Sequence, residues 1–465
     1  MFSFSNYKKI HFIGIGGISM SALAKFTIKE GVSVSGSDEK LSALTEELQK
    51  MGAKIFGCHD AGNLAEDVDL VIYSPAISKE NPELEEAKRR GVEILNRRDF
   101  LARVSGLFEF NIAISGSHGK TTTTAMLAHV FNSVDVPLCV HVGGECFDIN
   151  GNLLYSNERM LFVTEACEYV DSFLSLTPNY SAILNIQSDH MDYFKTEERL
   201  IASFSEFANK TTDFVFVNFN DKNCLKACKN IEQDKIVGLS VEDFSERKRE
   251  GIQPKILAKN LTTNSYGCVA FDGYFEDKFL GRFSLSIFGS HNVYNALMVV
   301  ALAYYYGLDM CKVKEAIKRF SGIKRRYQEV GKINGARVVH DYAHHPTEIK
   351  KVIEETRVIC KGRVIVVFQP HTYSRTRDLL DDFVSALCVA DDVVMYPIYS
   401  AREQPIDGVT SYAVSFLIRK NGGRSVHFVT YEEIIVYLKE TAKPEDVVLV
   451  LGAGDIVELC DKIKV

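Results

Sequence analysis

Asn111-Ile112-Ala113-Ile114-Ser115-Gly116-Ser117-His118-Gly119-Lys120-Thr121-Thr122-Thr123-Thr124 reads as an apolar strand, a glycine-rich loop and the start of a helix, about Lys120 to Phe131. Strand–loop–helix is the setting a phosphate-binding loop requires. Backbone N–H groups and the helix dipole cradle phosphates, a lysine neutralises the β- and γ-phosphates, and the next hydroxyl binds Mg²⁺. Gly116, Ser117, His118, Gly119, Lys120, Thr121 and Thr122 are therefore candidate ATP contacts. The standard eight-residue pattern needs glycine at 114, where this chain has Ile114, so the loop is a shortened variant.

Working outward, apolar strands are expected at Leu161 to Thr164, Ala182 to Leu184 and Phe214 to Val217. Glu165-Ala166-Cys167-Glu168 follows the first of these and Asp189-His190-Met191-Asp192 the second. Residues after strand C-ends face the ligand crevice of an open α/β sheet. Glu168 and His190, with the Thr121 hydroxyl, thus become candidate metal ligands. Charged, weakly patterned sequence from Asp243 to Lys259 reads as surface loop, and period-two alternation near Phe279 to Phe288 as antiparallel strand. Helices are expected over Asn292 to Tyr306 and Lys312 to Phe320.

Upstream, His11-Phe12-Ile13-Gly14-Ile15-Gly16-Gly17 is a second apolar strand entering glycines, with a helix from about Ser19 to Glu30. Further strands are expected at Val32 to Asp38, Asp69 to Tyr73 (ending at Ser74-Pro75) and Val92 to Leu95. Gly14, Gly16 and Gly17 resemble a dinucleotide fingerprint with its third glycine displaced, and Asp38 lies near the distance of a ribose-binding acid. Ser37 and Ser74, at neighbouring strand ends, join this candidate set.

Downstream, strands are expected at Ala336 to His340, Val364 to Phe368, Asp392 to Met395 and Val447 to Leu451, with helices after Pro346, Ser374 and Thr430. Two strands end in His340-Asp341-Tyr342-Ala343-His344-His345-Pro346 and Gln369-Pro370-His371-Thr372-Tyr373-Ser374-Arg375. Zinc is disfavoured there because adjacent His344 and His345 cannot both point one way from an extended chain. Arg375 suits a carboxylate as a fork. Arg325 and Arg326 have the chemistry to reach a nucleotide phosphate.

The chain has 465 residues, which at roughly 150 per domain suggests about three domains. The expected fold is α/β: a Rossmann-like domain over 1–105, a P-loop-type ATPase domain with a mostly parallel sheet over 106–322, and a second Rossmann-like domain over 323–465. With 46% hydrophobic and 25% charged residues the composition is globular, and the net charge of −7 argues against a nucleic-acid binder. The longest apolar run, Ala296 to Tyr306, falls well short of the roughly 20 residues that span a bilayer. Eleven cysteines without a CxxC pair fit reduced thiols in a cytoplasm, and the N-terminal residues show no signal-peptide pattern. Cys224 and Cys228, four apart on an expected helix, read as small buried side chains.

Together these motifs resemble the Mur ligases. The similarity runs through Gly14 to Ser21, Gly116 to Thr124, Glu165 to Leu174, Asn185 to Asp192, His291 to Ala296, Arg325 to Tyr327, Asp341 to Ile349, Phe368 to His371 and Gly452 to Ile456. The resemblance implies ATP- and Mg²⁺-dependent amide synthesis in the cytoplasmic stage of peptidoglycan assembly, joining L-alanine to the lactyl carboxylate of UDP-N-acetylmuramate. It implies that Lys120 contacts ATP phosphates, that Thr121, Glu168 and His190 serve magnesium, and that Asn292 and Asn295 lie near the adenine. Arg326 would act in phosphoryl transfer from the third domain, and His345, His371 and Arg375 would handle the amino acid. His344, His345 and Asp341 all stand open as the group that assists deprotonation of the amine. Ser19, Ser117, His340 and Thr372 depart from the residues commoner in the family. The remaining alternatives are a ligase of the same superfamily attaching a peptide or another amino acid, a nicotinamide-dependent oxidoreductase, and a non-catalytic nucleotide-binding module. The last two leave Gly119-Lys120-Thr121, or Glu168, His190 and Arg326, unexplained.

Overall fold

The structure, a computed structural model, describes residues 2–241, 251–401 and 403–463. Three sheets organise it. The first has five parallel strands in the spatial order Lys54–Phe56, Ser33–Ser37, Lys9–Ile13, Leu70–Tyr73, Glu93–Asn96. The chain starts at the centre, builds to one edge, then returns to build the other. That reversal leaves a crevice at the C-end of Lys9–Ile13, the place where doubly wound sheets bind ligands. Strand Lys54–Phe56 is absent from the sequence reading, because three residues flanked by glycines carry almost no periodicity.

The second sheet has ten strands. At its centre Phe110–Ser115 lies between Leu161–Glu165 and Tyr180–Ile183, parallel to both. Phe214–Asn218 and Ile236–Val241 extend it on one side, and Leu138–Cys146 on the other, with Gly151–Leu154 antiparallel at the edge. The residues from 254 to 259, expected as loop, belong to the strand Pro254–Thr263. Burial alternates along it, so its lysines occupy the less buried face; positions 243–250 of that expected loop lie outside the described residues. Helix Asn292–Tyr305 is buried from Asn292 to Ala303 except at Tyr294 and carries almost no polar face, as suits an element covered on all sides. Cys224 and Cys228 are core residues whose thiols are pushed up by burial, Cys228 to about 12.

The third sheet has six strands, Gln328–Ile333, Ala336–Asp341, Val447–Leu451, Val364–Phe368, Asp392–Met395 and Ser425–His427, parallel except the first. Its central strands are buried end to end, the signature of a sheet covered on both faces. The chain packs as two units: residues through Thr262 with Ala270–Ser286 and His291–Gly322, and separately Thr263–Val269, Ile287–Ser290 and the chain from Ile323 onward.

Candidate active site

Three strand ends build the phosphate loop. Ser115 runs into Gly116 at φ 134°, and Gly119 caps the helix Lys120–Asn132 at φ 87°. Both need glycine: a Cβ on Gly116 would lie 3.0 Å from Leu184 Cβ, and one on Gly119 would lie 2.6 Å from Asn295 Oδ1. The loop is clamped to the segment after Tyr180–Ile183. Ser117 N–H donates to the Asn185 carbonyl at 3.0 Å, Ser117 Oγ to the Gln187 carbonyl at 3.0 Å, and His118 N–H to Asn185 Oδ1 at 2.8 Å. A serine at 117 therefore fulfils the hydroxyl's part in holding the loop. Thr122 is buried in the first turn of the helix.

Lys120 Nζ lies across the loop, donating to the Ser117 carbonyl at 3.2 Å and to Glu168 Oε2 at 2.9 Å. Burial alone would lower the pKa of this ammonium. The Glu168 carboxylate, aided by Cys167 and Glu165, outweighs that and holds it above the usual lysine value. Glu168 is itself 1% exposed, so its charge is compensated by Lys120 rather than by bulk water. Thr121 Oγ1 donates to a different carboxylate, Glu165 Oε2, at 3.1 Å, and Gly143 N–H donates to Glu165 Oε1 at 2.6 Å. The sequence reading chose Glu168 from this motif and passed over Glu165, although Glu165 ends the strand beside the loop.

Directly after Glu168 the backbone kinks. Val170 and Asp171 both sit in the left-handed region, at φ 50° and 55°, where a β-branched residue is a true outlier. Asp171 anchors the kink, accepting from Tyr193 Oη at 2.7 Å and Arg199 Nη2 at 2.6 Å. His190 is also left-handed, at φ 55°, and its ring lies 4.7 Å from that of Tyr169. Among the described residues, no three His, Cys, Asp or Glu side chains converge on one point. Hydroxyl and carboxylate oxygens nevertheless fit Mg²⁺, which takes one or two carboxylates and completes its shell with water and substrate phosphates.

Asn295 supports the loop directly. Thr123 Oγ1 donates to its Oδ1 at 3.2 Å, and its Nδ2 donates to Asn292 Oδ1 at 2.8 Å.

In the first sheet Gly14 turns at φ 79°, its N–H donating to the Ser37 carbonyl at 2.8 Å. Gly16 N–H donates to Asp38 Oδ2 at 2.9 Å, and Gly17 precedes the helix Ile18–Lys29. Ser74 packs beneath the turn, where a Cβ on Gly14 would lie 3.1 Å from its own. Ser37 departs from the expected ligand contact: its side chain is fully buried and bonds to His59 Nδ1 at 2.9 Å and to Glu83, in a cluster with Asn63. Its hydroxyl serves the fold, and its carbonyl shapes the loop.

In the second unit Arg326 lies over the Tyr342 ring at 5.3 Å. Asp341 accepts from the N–H groups of Tyr327 and Ala343, each at 2.7 Å; burial raises its carboxyl against the opposing pull of Arg326. The adjacent histidines divide. His345 is the N-cap of helix Pro346–Ile359, where it forms a capping box with Glu348. His344, not chosen from the sequence as an amino-acid contact, faces His371 with ring centroids 6.0 Å apart. Burial holds His344 below the usual histidine value, and burial with His344 and Arg375 brings His371 to about 4. His371 Nδ1 is buried without a partner among the described residues, and the ring lies 5.5 Å from that of Tyr399. Arg375 is half-buried on the short helix Tyr373–Asp378. The sequence also offers Arg402 as a carboxylate clamp should Arg375 not serve, and that residue lies outside the described residues.

Family models match along nearly the whole chain: Mur ligase family, catalytic domain, over residues 9–109; Mur ligase middle domain over 114–303; and Mur ligase, glutamate ligase domain, over 325–454. The UDP-N-acetylmuramate–L-alanine ligase of Caldanaerobacter subterraneus is 42% identical over 98% of this chain and 97% of its own. That of Clostridium novyi is 40% identical over 97% and 96%. Among solved structures, the UDP-N-acetylmuramate-alanine ligase of Thermotoga maritima superposes with a TM-score of 0.82 at 28% identity, covering 98% of both chains. A murein peptide ligase from Psychrobacter arcticus, at 22% identity and a TM-score of 0.73, shares the fold.

Proposed function

The chain belongs to the Mur ligase family, and from that premise we propose that it joins L-alanine to the lactyl carboxylate of UDP-N-acetylmuramate, converting ATP to ADP and phosphate. The observation that carries the reading is Lys120, held by Glu168 over a loop built from three strand ends, in a chain that matches alanine ligases from end to end. We assign residues 1–105 to the sugar nucleotide, 106–322 to ATP and 323–465 to the amino acid. The reaction belongs to the cytoplasm, where the precursor is assembled; among the described residues no helix is long and apolar enough to cross a membrane.

A carboxylate is a poor acyl donor at neutral pH. Transfer of the γ-phosphoryl group to it makes an acyl phosphate with a good leaving group. Lys120 stabilises the charge that spreads over the equatorial oxygens in that transfer, and Arg326 has the chemistry of a phosphate ligand. Mg²⁺, held by Thr121, Glu168 and His190, would neutralise phosphate charge when bound. Gly14, Gly16 and Gly17 present backbone to the sugar nucleotide, Asp38 fixes their turn, and Ser37 and Ser74 support it. Asn292 and Asn295 hold the ATP loop beside the adenine position. The alanine amine then attacks the acyl carbon and phosphate leaves.

The amine must first lose a proton. Asp341 already accepts two N–H bonds and His345 is committed to its helix. His344 Nδ1 lies 3.0 Å from the Tyr342 carbonyl, which can only accept. The proton therefore sits on Nδ1, and Nε2 keeps its lone pair. Low basicity keeps the ring neutral at pH 7, so His344 is our assignment for the proton acceptor, with His371 and Arg375 orienting the amino acid.

Phosphate release requiring both UDP-N-acetylmuramate and L-alanine tests the reaction. With ¹⁸O in the lactyl carboxylate, label should appear in the phosphate; pyrophosphate, or unlabelled phosphate, would refute the acyl-phosphate route.

A further inference from the structure

His141 belongs to none of the motifs above. It lies on strand Leu138–Cys146, is 3% exposed, and uses both ring nitrogens. Nε2 is 2.8 Å from Ser19 Oγ, and Nδ1 is 3.0 Å from Thr164 Oγ1. The neighbours fix the protons. Thr164 Oγ1 gives its hydrogen to the Glu165 carbonyl at 3.2 Å, so it must accept from Nδ1–H. Ser19 Oγ accepts from Arg97 Nη1 at 3.0 Å and has one hydrogen left, which goes to Nε2. One neutral tautomer satisfies every group. Burial, with the Arg97 charge, brings the pKa to about 4 and keeps it neutral.

The two ends of this relay are functional elements. Ser19 is in the first turn of the helix that follows Gly14, Gly16 and Gly17. Thr164 precedes Glu165, whose carboxylate holds Thr121 Oγ1 in the first turn of the phosphate-loop helix. The strand that carries His141 also carries Gly143, a second donor to Glu165; a side chain at 143 would put its Cβ 2.6 Å from that carboxylate. A run of hydrogen bonds, Arg97–Ser19–His141–Thr164, therefore leads from beside the first glycine loop to the backbone carbonyl of Glu165, whose carboxylate holds Thr121 at the second.

We propose that His141 is a positioning residue coupling the two loops, so that a sugar nucleotide at the first loop sets Glu165 and Thr121 at the second, and nucleotide at the second tightens the first. The proposal rests on the ligand assignment above. Linkage makes the effect reciprocal, so it can be read from either side.

The experiment is calorimetric titration of full-length enzyme with UDP-N-acetylmuramate, with and without a non-hydrolysable ATP analogue and Mg²⁺. In the wild type the analogue should tighten sugar-nucleotide binding at least about fivefold. In His141→Leu that ratio should fall below about twofold, while each ligand alone binds within about threefold of wild type. His141→Gln, which can still donate and accept, should recover part of it. Ser19→Ala cuts the relay outside the central sheet and should lose the ratio even if the buried variant fails to fold. A wild-type ratio retained in folded Ser19→Ala and His141→Leu overturns the proposal, as does a wild-type ratio near one. If the wild type binds neither ligand, the ligand assignment itself has failed and the proposal goes with it.

Discussion

Strand Lys9–Ile13 and strand Phe110–Ser115 each run into a glycine with positive φ and then into a helix, yet only the second loop carries a side-chain cation. At the first, the helix Ile18–Lys29 and the Asp38 carboxylate on Gly16 N–H hold a backbone turn, and the neighbouring Arg97 guanidinium is taken up by Ser19 Oγ. At the second, Lys120 pairs with the buried Glu168, and Thr121 Oγ1 donates to Glu165. Under the proposed assignment of the first loop to the sugar nucleotide and the second to ATP, the contrast follows from what each would be asked to do. Holding a substrate diphosphate needs fixed N–H groups and a helix dipole. Transferring a phosphoryl group needs charge that is stronger for the transition state than for the ground state, placed where water cannot dilute it.

The harshest way to break this comparison is Lys120→Ala. Loss of the positioned cation should lower kcat on the order of 10²-fold or more, about 3 kcal/mol, with the KM for UDP-N-acetylmuramate nearly unchanged. Near-normal kcat would remove the distinction between the loops. Next in size is Asp38→Ala, which frees the Gly16 N–H and should raise the KM for UDP-N-acetylmuramate about tenfold, about 1.4 kcal/mol, leaving the KM for ATP alone. Steady-state kinetics with each substrate varied in turn would expose any spill from one site to the other.

The glycines sharpen the contrast in stability. Gly119→Ala forces φ 87° on a side chain whose Cβ meets Asn295 Oδ1 at 2.6 Å, and should cost about 1–2 kcal/mol in urea unfolding. Gly17→Ala meets its nearest atom at 3.5 Å in ordinary extended backbone. It should change stability by less than about 0.5 kcal/mol; equal losses for the two would mean both loops are equally crowded.

The smallest effect is on acid stability. His141 holds a folded pKa of about 4, below the roughly 6.5 of an unfolded histidine. Below pH 6.5 the unfolded chain takes up a proton that the folded chain refuses, so stability falls from there towards pH 4 and is complete above pH 6.5. Between pH 6 and 5 the wild type should lose about 1 kcal/mol more than His141→Gln. Parallel curves would show that the ring titrates normally.

The phosphate loop was legible because its chemistry is written in consecutive residues, and the strands around it because fully buried strands are unbroken apolar runs. Leu138–Cys146 escaped because His141, Gly143 and Gly144 interrupt its run, and two of those interruptions, His141 and Gly143, make the bonds to Thr164 and Glu165. Gln328–Ile333 escaped as the antiparallel edge strand, with Glu329 and Lys332 exposed. Ser37 could be placed near the crevice from sequence, but which way its hydroxyl turned depended on Glu83, 46 residues away. Sequence put His345 rather than His344 among the amino-acid contacts and left both open as the base; the capping box that commits His345 to its helix was readable in His345-Pro346-Thr347-Glu348, had the helix start been set one residue earlier.

The left-handed Val170 and Asp171 beside Glu168 set two pressures against each other in any directed evolution of this enzyme. Asparagine or glycine at 170 would relieve a conformation that valine adopts only at a cost of about 1–3 kcal/mol. A screen for heat resistance should therefore enrich Val170→Gly or Val170→Asn early. A screen for turnover should purge them, because the same relaxation frees the turn that presents the carboxylate to Lys120. Lineages selected alternately for survival and for speed would be expected to toggle at this codon.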